Sequence, residues 1–340
     1  MTAAARLRVA SLGLHPDRVR KLLAEWGDAR AVVRAIERGQ IDVTDAVRDR
    51  LDVDAEAAAG AAGSSVVLAE DLPEGLSGLP DAPDLLYVRG GLPDLPGVAI
   101  VGSRRATSYG LRLARMFGRA VAEAGWPVVS GLARGIDGAA HLGCLEGAGV
   151  GVAVLGCGVD VAYPSEHREL GRRLLESGGA VVSEYAPGAR PEPWRFPPRN
   201  RIISGLSSVV VVVEANVKGG ALITAARGLE QGRLVLAVPG DVDRDTSRGC
   251  NLLIRDGAHP VLDVDDLLTS LTFVFGPPPR ESVPSGGGSD PLLSLLSGGA
   301  KTAEELAVAL ECSATEAIRR VSILEASGAV QVEGGVVSLP

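Results

Sequence analysis

A short arginine-rich segment is the part of this sequence best suited to bind anions. Arg199, Asn200 and Arg201 follow one another directly, and an aromatic residue, Phe196, precedes them by three positions. Guanidinium groups present forked donors that match phosphate oxygens, and an aromatic ring offers a face on which a base can stack. The alternative is a helix N-terminus whose arginines pair with nearby carboxylates. The segment therefore predicts either a phosphate site or a set of structural ion pairs.

A second arginine-bearing loop favours the phosphate site. Gly102, Ser103 and Arg104 directly follow the apolar run VAIV at residues 98–101. In such a loop, backbone N–H groups converge on an anion at the N-terminus of the next helix, and Arg104 adds charge. The loop lacks the GxGxxG pattern, and the chain contains no GxxxxGK[ST] sequence. Neither a dinucleotide site nor a P-loop ATP site is therefore predicted.

Two further loops contribute weaker candidates. Ser130 and Arg134 belong to the sequence SGLARGID, and Lys218 precedes two glycines and a helical stretch. These three residues are interpreted as additional phosphate contacts, whereas Asp137 and His141 are better explained as a helix cap and a packed histidine. Taken together, the loops predict a basic rim for one ligand. No catalytic residue, metal site or cofactor is predicted from these patterns.

Short β-branched runs alternate with helical stretches from residue 97 onward and determine where these loops lie. Apolar runs of this kind suit strands buried on both faces of a parallel sheet with right-handed crossovers. The predicted fold class is therefore α/β, an extended, Rossmann-like, doubly wound and mostly parallel sheet. Ligands of such sheets bind beyond the carboxyl ends of the strands, where most of these loops begin. The predicted strands are Val98–Val101, Pro127–Ser130, Val150–Leu155, Ala180–Ser183, Val209–Val213 and Leu234–Val238.

Composition shifts predict four segments along the 340 residues. Residues 1–75 show helical periodicity and are expected to form a small N-terminal helical domain of the SAM or helix-hairpin kind. Residues 76–275 form the predicted Rossmann-like core, and residues 276–289 are a Pro/Gly/Ser-rich flexible linker. Residues 290–340 are expected to form a C-terminal winged helix, with two helices that each begin at a Ser or Thr followed by Glu three residues later.

The net charge of −8 conceals an uneven distribution. Residues 97–262 carry 19 Lys and Arg against 15 Asp and Glu, whereas residues 290–340 carry 3 against 7. An acidic winged helix would repel DNA phosphates, so a partner-binding or regulatory role is favoured over sequence-specific DNA recognition there. Four scattered cysteines and the absence of any long apolar run predict a cytoplasmic protein that does not bind or cross membranes.

An ordered set of motifs resembles the DNA-processing protein A family (DprA, also called Smf). The motifs span residues 97–260, nearly half of the chain, and their combination is highly specific. The matching pieces are VAIVGSR, SGLARGID with a following AH, GCGVD with YP, SEY, FPPRNRIISGLS, VVEA, GGALITA, AVPG and GCNLLIRDGA.

The resemblance implies a non-enzymatic core that binds single-stranded DNA (ssDNA), usually as a homodimer. It also implies protection of incoming strands and loading of the RecA recombinase during natural transformation. One departure is Gly219, where family members often have serine, so a hydroxyl–phosphate contact is not expected there. Carried over to this sequence, the binding residues are Gly102, Ser103, Arg104, Arg199, Asn200 and Arg201, with Phe196 as the stacking ring and Lys218 as a weaker candidate.

A Rossmann-like nucleotide phosphoribohydrolase is the alternative interpretation. The turn GGALIT faintly resembles the PGGxGTxxE signature of those enzymes, but no proline precedes Gly219. The residue three positions after Thr224 is Arg227, whereas the signature has glutamate there. The sequence therefore lacks the general acid that such a hydrolase requires.

Overall fold

The chain forms two compact units, residues 1–281 and residues 282–340. The computed structural model describes residues 3–279, 291–296, 299–310, 312–326, 330–333 and 335–338. Residues 280–289, which make up most of the predicted linker, lie outside the described residues. Within the described part of the chain, no helix has both the length and the apolar character needed to cross a membrane.

Nine strands within residues 3–279 form one sheet with the order β1-β2-β6-β5-β4-β3-β7-β8-β9. The seven strands from β6 to β9 in that order are parallel, whereas β1 and β2 pair antiparallel at one edge. The strands are β1 (Ser65–Leu68), β2 (Leu85–Gly90), β3 (Gly97–Val101), β4 (Val128–Ser130), β5 (Gly151–Val154), β6 (Ala180–Ser183), β7 (Ser207–Val212), β8 (Leu234–Ala237) and β9 (His259–Pro260).

The strand order confirms a mostly parallel sheet of the Rossmann-like kind. All six strands predicted from β-branched runs are present, and β3 to β7 are buried along nearly their whole length. From β3, the chain adds β4, β5 and β6 on one side and then places β7 on the other. The sheet therefore has a topological switch point between β3 and β7, and a crevice is expected beyond their carboxyl ends.

Helices cover both faces of this sheet. One apolar layer joins α10 and α11 to the strands, and a second joins α7, α8 and α13 to the opposite face. The helices of the first unit are α1 (Ala3–Ser11), α2 (Pro16–Trp26), α3 (Ala29–Glu37), α4 (Asp45–Arg48), α5 (Ala55–Ala61), α6 (Glu74–Ser77), α7 (Ser108–Glu123), α8 (Ile136–Glu146), α9 (Arg168–Glu176), α10 (Phe196–Gly205), α11 (Gly220–Glu230), α12 (Asp245–Arg255) and α13 (Val264–Phe275).

The N-terminal helices have a core of their own and also pack on the sheet. Asp28 caps α3 by accepting a hydrogen bond from the Ala31 N–H, and α1 to α3 enclose a separate apolar cluster. Leu7 of α1 packs with Tyr87 of β2 in a second cluster. Residues 1–75, predicted as a helical domain, therefore lie within the first compact unit and also contain β1. The boundaries of the predicted domains stay a prediction.

The second unit contains three helices and a three-stranded antiparallel sheet within its described residues. Thr302 and Glu305 form the predicted capping box, in which each side chain bonds the backbone N–H of the other residue at 3.2 and 2.8 Å. The interpretation of this unit as a winged helix stays a prediction. Its elements are α14 (Pro291–Leu296), β10 (Lys301–Thr302), α15 (Ala303–Ala309), α16 (Ala314–Ala326), β11 (Gln331–Glu333) and β12 (Val336–Ser338), with the sheet order β10-β12-β11.

Candidate nucleic-acid interface

A cleft with a cavity volume of about 740 Å³ lies at the switch point of the sheet. Its walls are the loop after β3, the loop after β7 and the first turn of α10. Six of the ten predicted site residues line it, so the structure brings together segments almost 100 residues apart in sequence. The predicted residues in the lining are Gly102, Ser103, Arg104, Phe196, Arg199 and Asn200.

Arg104 and two aromatic rings form a layer on one side of this cleft. The guanidinium carbon of Arg104 lies 4.8 Å from the centroid of the Phe196 ring. The Tyr163 ring lies 5.5 Å from the same ring and is 39% exposed. Among the described residues, Arg104 forms no ion pair with any carboxylate. The layer therefore combines an available positive charge with aromatic surface, the two features that bind phosphates and unstacked bases.

The loop that carries Arg104 is fixed by the buried carboxylate of Glu214, which follows β7. The carboxylate accepts hydrogen bonds from the Thr107 N–H at 2.9 Å and the Thr107 hydroxyl at 2.5 Å. The Ser103 N–H donates to the Glu214 carbonyl at 2.7 Å, and the Arg105 N–H donates to the Ser103 hydroxyl. These N–H groups are thus already satisfied. They therefore do not form the predicted backbone cradle for an anion, and the positive charge of the loop comes from arginine side chains.

We expect Glu214→Gln to destabilise the first unit by about 1–3 kcal/mol, the usual cost of a lost buried hydrogen bond. The amide oxygen can still accept from the Thr107 N–H, but the NH₂ then faces the Thr107 hydroxyl, which loses its charged acceptor. Urea unfolding followed by circular dichroism measures the change. Glu230→Gln is the control because its carboxylate is exposed and pairs only with an exposed arginine. Equal stability of the two variants would contradict the anchoring role of Glu214.

Arg199 lies at the base of the cleft with only 4% of its surface exposed. Its guanidinium donates to the Gly131 carbonyl at 3.0 Å and to the Val154 carbonyl. A Cβ atom at position 131 would approach both Nη atoms to 2.6 Å, so only glycine fits. Burial lowers the pKa of Arg199 to about 10, although the nearby Asp137 carboxylate opposes this shift. Arg199 therefore remains charged at neutral pH and holds α10 against the ends of β4 and β5.

Asn200 also has a structural partner in the cleft wall. Its side-chain NH₂ donates to the Gly220 carbonyl at 3.2 Å, which ties α10 to the start of α11. Asp137 is another residue of this wall. Its carboxylate accepts a hydrogen bond from the Gly131 N–H at 3.1 Å, and burial raises its pKa. Both residues line the cleft and support its walls.

Arg201 does not reach the cleft, contrary to the interpretation of the whole RNR segment as one phosphate site. Its guanidinium forms an ion pair with Glu184 at 2.8 Å and hydrogen-bonds the Asp81 carbonyl at 2.8 Å. Burial disfavours its charged form, but Glu184 and Asp81 outweigh burial and raise the pKa of Arg201. The alternative considered for this segment, a structural ion pair, therefore describes Arg201.

Three other predicted residues lie outside the cleft lining. Ser130 is fully buried and its hydroxyl donates to the Ile100 carbonyl at 2.6 Å, so Ser130 cannot contact a phosphate in this conformation. Arg134 is exposed but pairs with Glu166, whose carboxylate oxygens lie 2.5 Å from Nε and 2.6 Å from Nη2. Lys218 is exposed beside Gly219, a cleft residue, and therefore sits at the rim.

Sequence reasoning missed two residues that complete the cleft. Tyr163 belongs to the quoted YP motif, but nothing in the sequence indicated that it would lie beside Phe196, 33 residues later. Arg105 adjoins Arg104, is exposed and lines the cleft without an ion pair among the described residues. The signal for Arg105 was its place directly after Arg104, since two successive arginines in a loop offer two positive charges.

The part of the chain that contains the cleft matches a known protein family. The family model for DNA recombination-mediator protein A matches residues 65–272, which include the whole cleft. The chain belongs to the DNA recombination-mediator protein A family. Protein Smf of Escherichia coli K12 is a relative of this family that is 45% identical over 206 residues, or 60% of this chain. That match covers 55% of the Smf protein, so the chain spans about half of its length.

Two solved structures resemble the fold of this family member. DNA processing protein A (DprA) from Streptococcus pneumoniae superposes with a TM-score of 0.66 at 35% identity, covering 79% of this chain and 98% of that protein. The second structure concerns the ssDNA binding mode of DNA processing protein A from Helicobacter pylori. It has a TM-score of 0.56 and 27% identity, and covers 62% of this chain and 96% of that protein.

Proposed function

We propose that the cleft binds single-stranded DNA without sequence preference. The observation that carries this proposal is the exposed Arg104 guanidinium stacked on Phe196 beside the exposed Tyr163 ring. Arg104 and Arg105 supply charge for the phosphates, while the rings supply faces for bases. A similar fold whose ssDNA binding mode has been studied, that of the H. pylori protein, supports the same ligand.

The composition of the cleft favours a single strand over a duplex. Bases of a duplex are stacked on one another, so aromatic side chains in a cleft reach only unstacked bases. Aromatic residues make up only 3% of the chain, which limits stacking to a small number of bases. Affinity therefore depends mainly on phosphate contacts and falls steeply as salt rises.

Family membership supports a proposal for the biological role. The chain protects incoming ssDNA and loads the RecA recombinase during natural transformation, and it acts as a homodimer. The second unit acts as an acidic winged helix that contacts a protein partner. Family membership and the binding cleft support these assignments together, since a recombination mediator must hold the strand on which the recombinase assembles.

The protein acts by binding and not by catalysis. At the position where phosphoribohydrolases carry glutamate, Arg227 pairs with Glu230 at 2.8 Å. The nearby Glu214 carboxylate is buried and hydrogen-bonded to Thr107, so it does not act as a free base. The relatives found by comparison are named for DNA processing and recombination mediation, and they do not favour the hydrolase alternative.

Fluorescence anisotropy with labelled oligo-dT and a duplex of equal length tests this function across a salt series. We expect preferential binding of oligo-dT, with the logarithm of the binding constant falling by about 0.7 per phosphate contact for each tenfold rise in salt. Equal affinity for the duplex, or no binding, would contradict the proposal. Release of free base from nucleoside monophosphates would instead support the hydrolase.

A further inference from the structure

A second pocket, of about 330 Å³, lies where the N-terminal helices meet the loop after β6. We call it the arginine pocket, because its charged lining residues are Arg50, Arg190, Arg195 and Glu192. Three guanidiniums against one carboxylate leave a net positive charge. Arg50 and Arg190 are exposed and form no ion pair among the described residues.

The guanidiniums of Arg50 and Arg195 both lie near Gly13, where Arg50 Nη1 donates to the Leu12 carbonyl at 2.8 Å and Arg195 Nη1 donates to the Arg190 carbonyl. A Cβ atom built on Gly13 would lie 2.5 Å from Nη1 of Arg50 and 3.5 Å from Nη2 of Arg195. Glu192 compensates them weakly, since its nearest oxygen is 3.6 Å from Arg195 and its side chain is 48% exposed. Like charges repel when they are brought together, so this arrangement is suited to an anion that bridges them.

Two lining residues, Tyr87 and Arg195, also carry buried donor atoms. The Tyr87 hydroxyl and the Arg195 Nε–H have no hydrogen-bond partner among the described residues, although Tyr87 is fully buried and Arg195 is 4% exposed. Burial raises the pKa of Tyr87, so its hydroxyl keeps its proton and remains a donor. Buried donors are nearly always satisfied in folded proteins, which indicates that a ligand with acceptor oxygens belongs here.

The arginine pocket and the DNA cleft share a wall. Arg190 and Glu192 line the pocket, whereas Pro191 and Pro193 line the cleft. This alternation is typical of an extended segment, whose successive side chains point to opposite sides. The two cavities stay adjacent through the 3₁₀ turn Pro193–Arg195, because Arg195 lines the pocket and Phe196, which follows it, lines the cleft. A strand that leaves the cleft over this thin wall therefore reaches the pocket directly.

The geometry points to a second phosphate-binding site in the arginine pocket, which holds a backbone phosphate of the same strand that occupies the cleft. This inference rests on the proposed function of the cleft. It assigns Arg50 and Arg190 to the strand and extends the DNA path from the sheet onto the N-terminal helices. The phosphate of a free nucleotide would use the same donors, and a comparison of oligo-dT with dTMP separates a strand phosphate from a nucleotide phosphate.

The test compares wild type with Arg190→Ala on oligo-dT of about 6 and about 30 nucleotides, lengths that fill one site or extend beyond it. Arg190 is exposed, and only its backbone carbonyl has a structural role, so the variant is expected to fold. With the long oligonucleotide, we expect the salt slope to decrease by about 0.7, the value for one lost phosphate contact on a single strand. Binding of the short oligonucleotide should not change.

Arg38→Ala is the matched control, because Arg38 is exposed on the N-terminal helices and lines neither cavity. An unchanged slope in both Arg190→Ala and Arg50→Ala, with normal wild-type binding of both lengths, would overturn the second site and leave the cleft intact. Wild-type binding of neither length would instead refute the proposed function. Loss of dTMP binding in Arg190→Ala with unchanged binding of the long strand would assign the pocket to free nucleotides and overturn the strand path.

Discussion

Arg104→Ala will weaken ssDNA binding about 30-fold at low salt. A hydrogen bond between a charged donor and a phosphate contributes roughly 2 kcal/mol, which corresponds to this factor. Arg104 has no carboxylate to release before it binds, because the described residues form no ion pair with it. The substitution also removes the cation that lies over the Phe196 ring. Anisotropy titrations with oligo-dT, repeated at several salt concentrations, measure both the affinity and the slope.

The control for Arg104→Ala is Arg112→Ala. Arg112 is exposed on α7, lies over the Tyr109 ring at 5.5 Å and does not line the cleft. Both substitutions remove one positive charge from the same part of the chain, so a difference between them reports position and not net charge. Equal affinities of the two variants would exclude the cleft as the binding site.

Arg201→Ala will destabilise the first unit by about 3–5 kcal/mol, the range found when one partner of a buried ion pair is removed. The side chains of Arg201 and Glu184 are 4% and 16% exposed, so the remaining carboxylate would lack both a partner and full hydration. The folded fraction should bind ssDNA normally, because Arg201 faces away from the cleft. Guanidinium chloride unfolding, followed by anisotropy under fully folding conditions, separates these two effects.

The double variant Arg201→Met with Glu184→Met distinguishes a structural ion pair from a ligand contact. Removal of both charges leaves no unpaired ion, and we expect it to recover much of the stability lost in Arg201→Ala. A stable Arg201→Ala protein that has lost ssDNA affinity would show that Arg201 contacts the strand after all.

The parallel strands were predictable because their sequences admit few alternatives. The run of five valines from 209 to 213 is too short for a helix and too apolar for a surface loop. The antiparallel edge was not predictable in the same way. β1 is only partly buried and follows a helical stretch, and β2 lies in a connector rich in proline and glycine. The pairing of β1 with β2, and of β2 with β6, depends on contacts that no local pattern reveals.

The candidate site was predictable as a set of loops but not as a set of contacts. Arg199 and Arg201 are two positions apart on α10, and each residue of a helix turns the side chain by about 100°. The two guanidiniums therefore diverge to opposite sides, one toward the strand ends and one toward Glu184. Arg199 and Arg201 are close in sequence, but the geometry of the helix places their guanidiniums in different surroundings. Ser130 is absent from the cleft lining for another reason, since it is the last residue of a fully buried strand.

The hydrogen bonds that Glu214 accepts from Thr107 and Ser103 affect the thermodynamics of association. They connect the loop after β3 to the loop after β7, so the backbone that carries Arg104 is held in place before any strand arrives. Ordering a mobile loop would subtract from the binding free energy, and here that entropic cost has already been met during folding. Most of the conformational entropy lost on association therefore belongs to the DNA, whose flexible single strand must adopt the path that a preorganised protein surface presents.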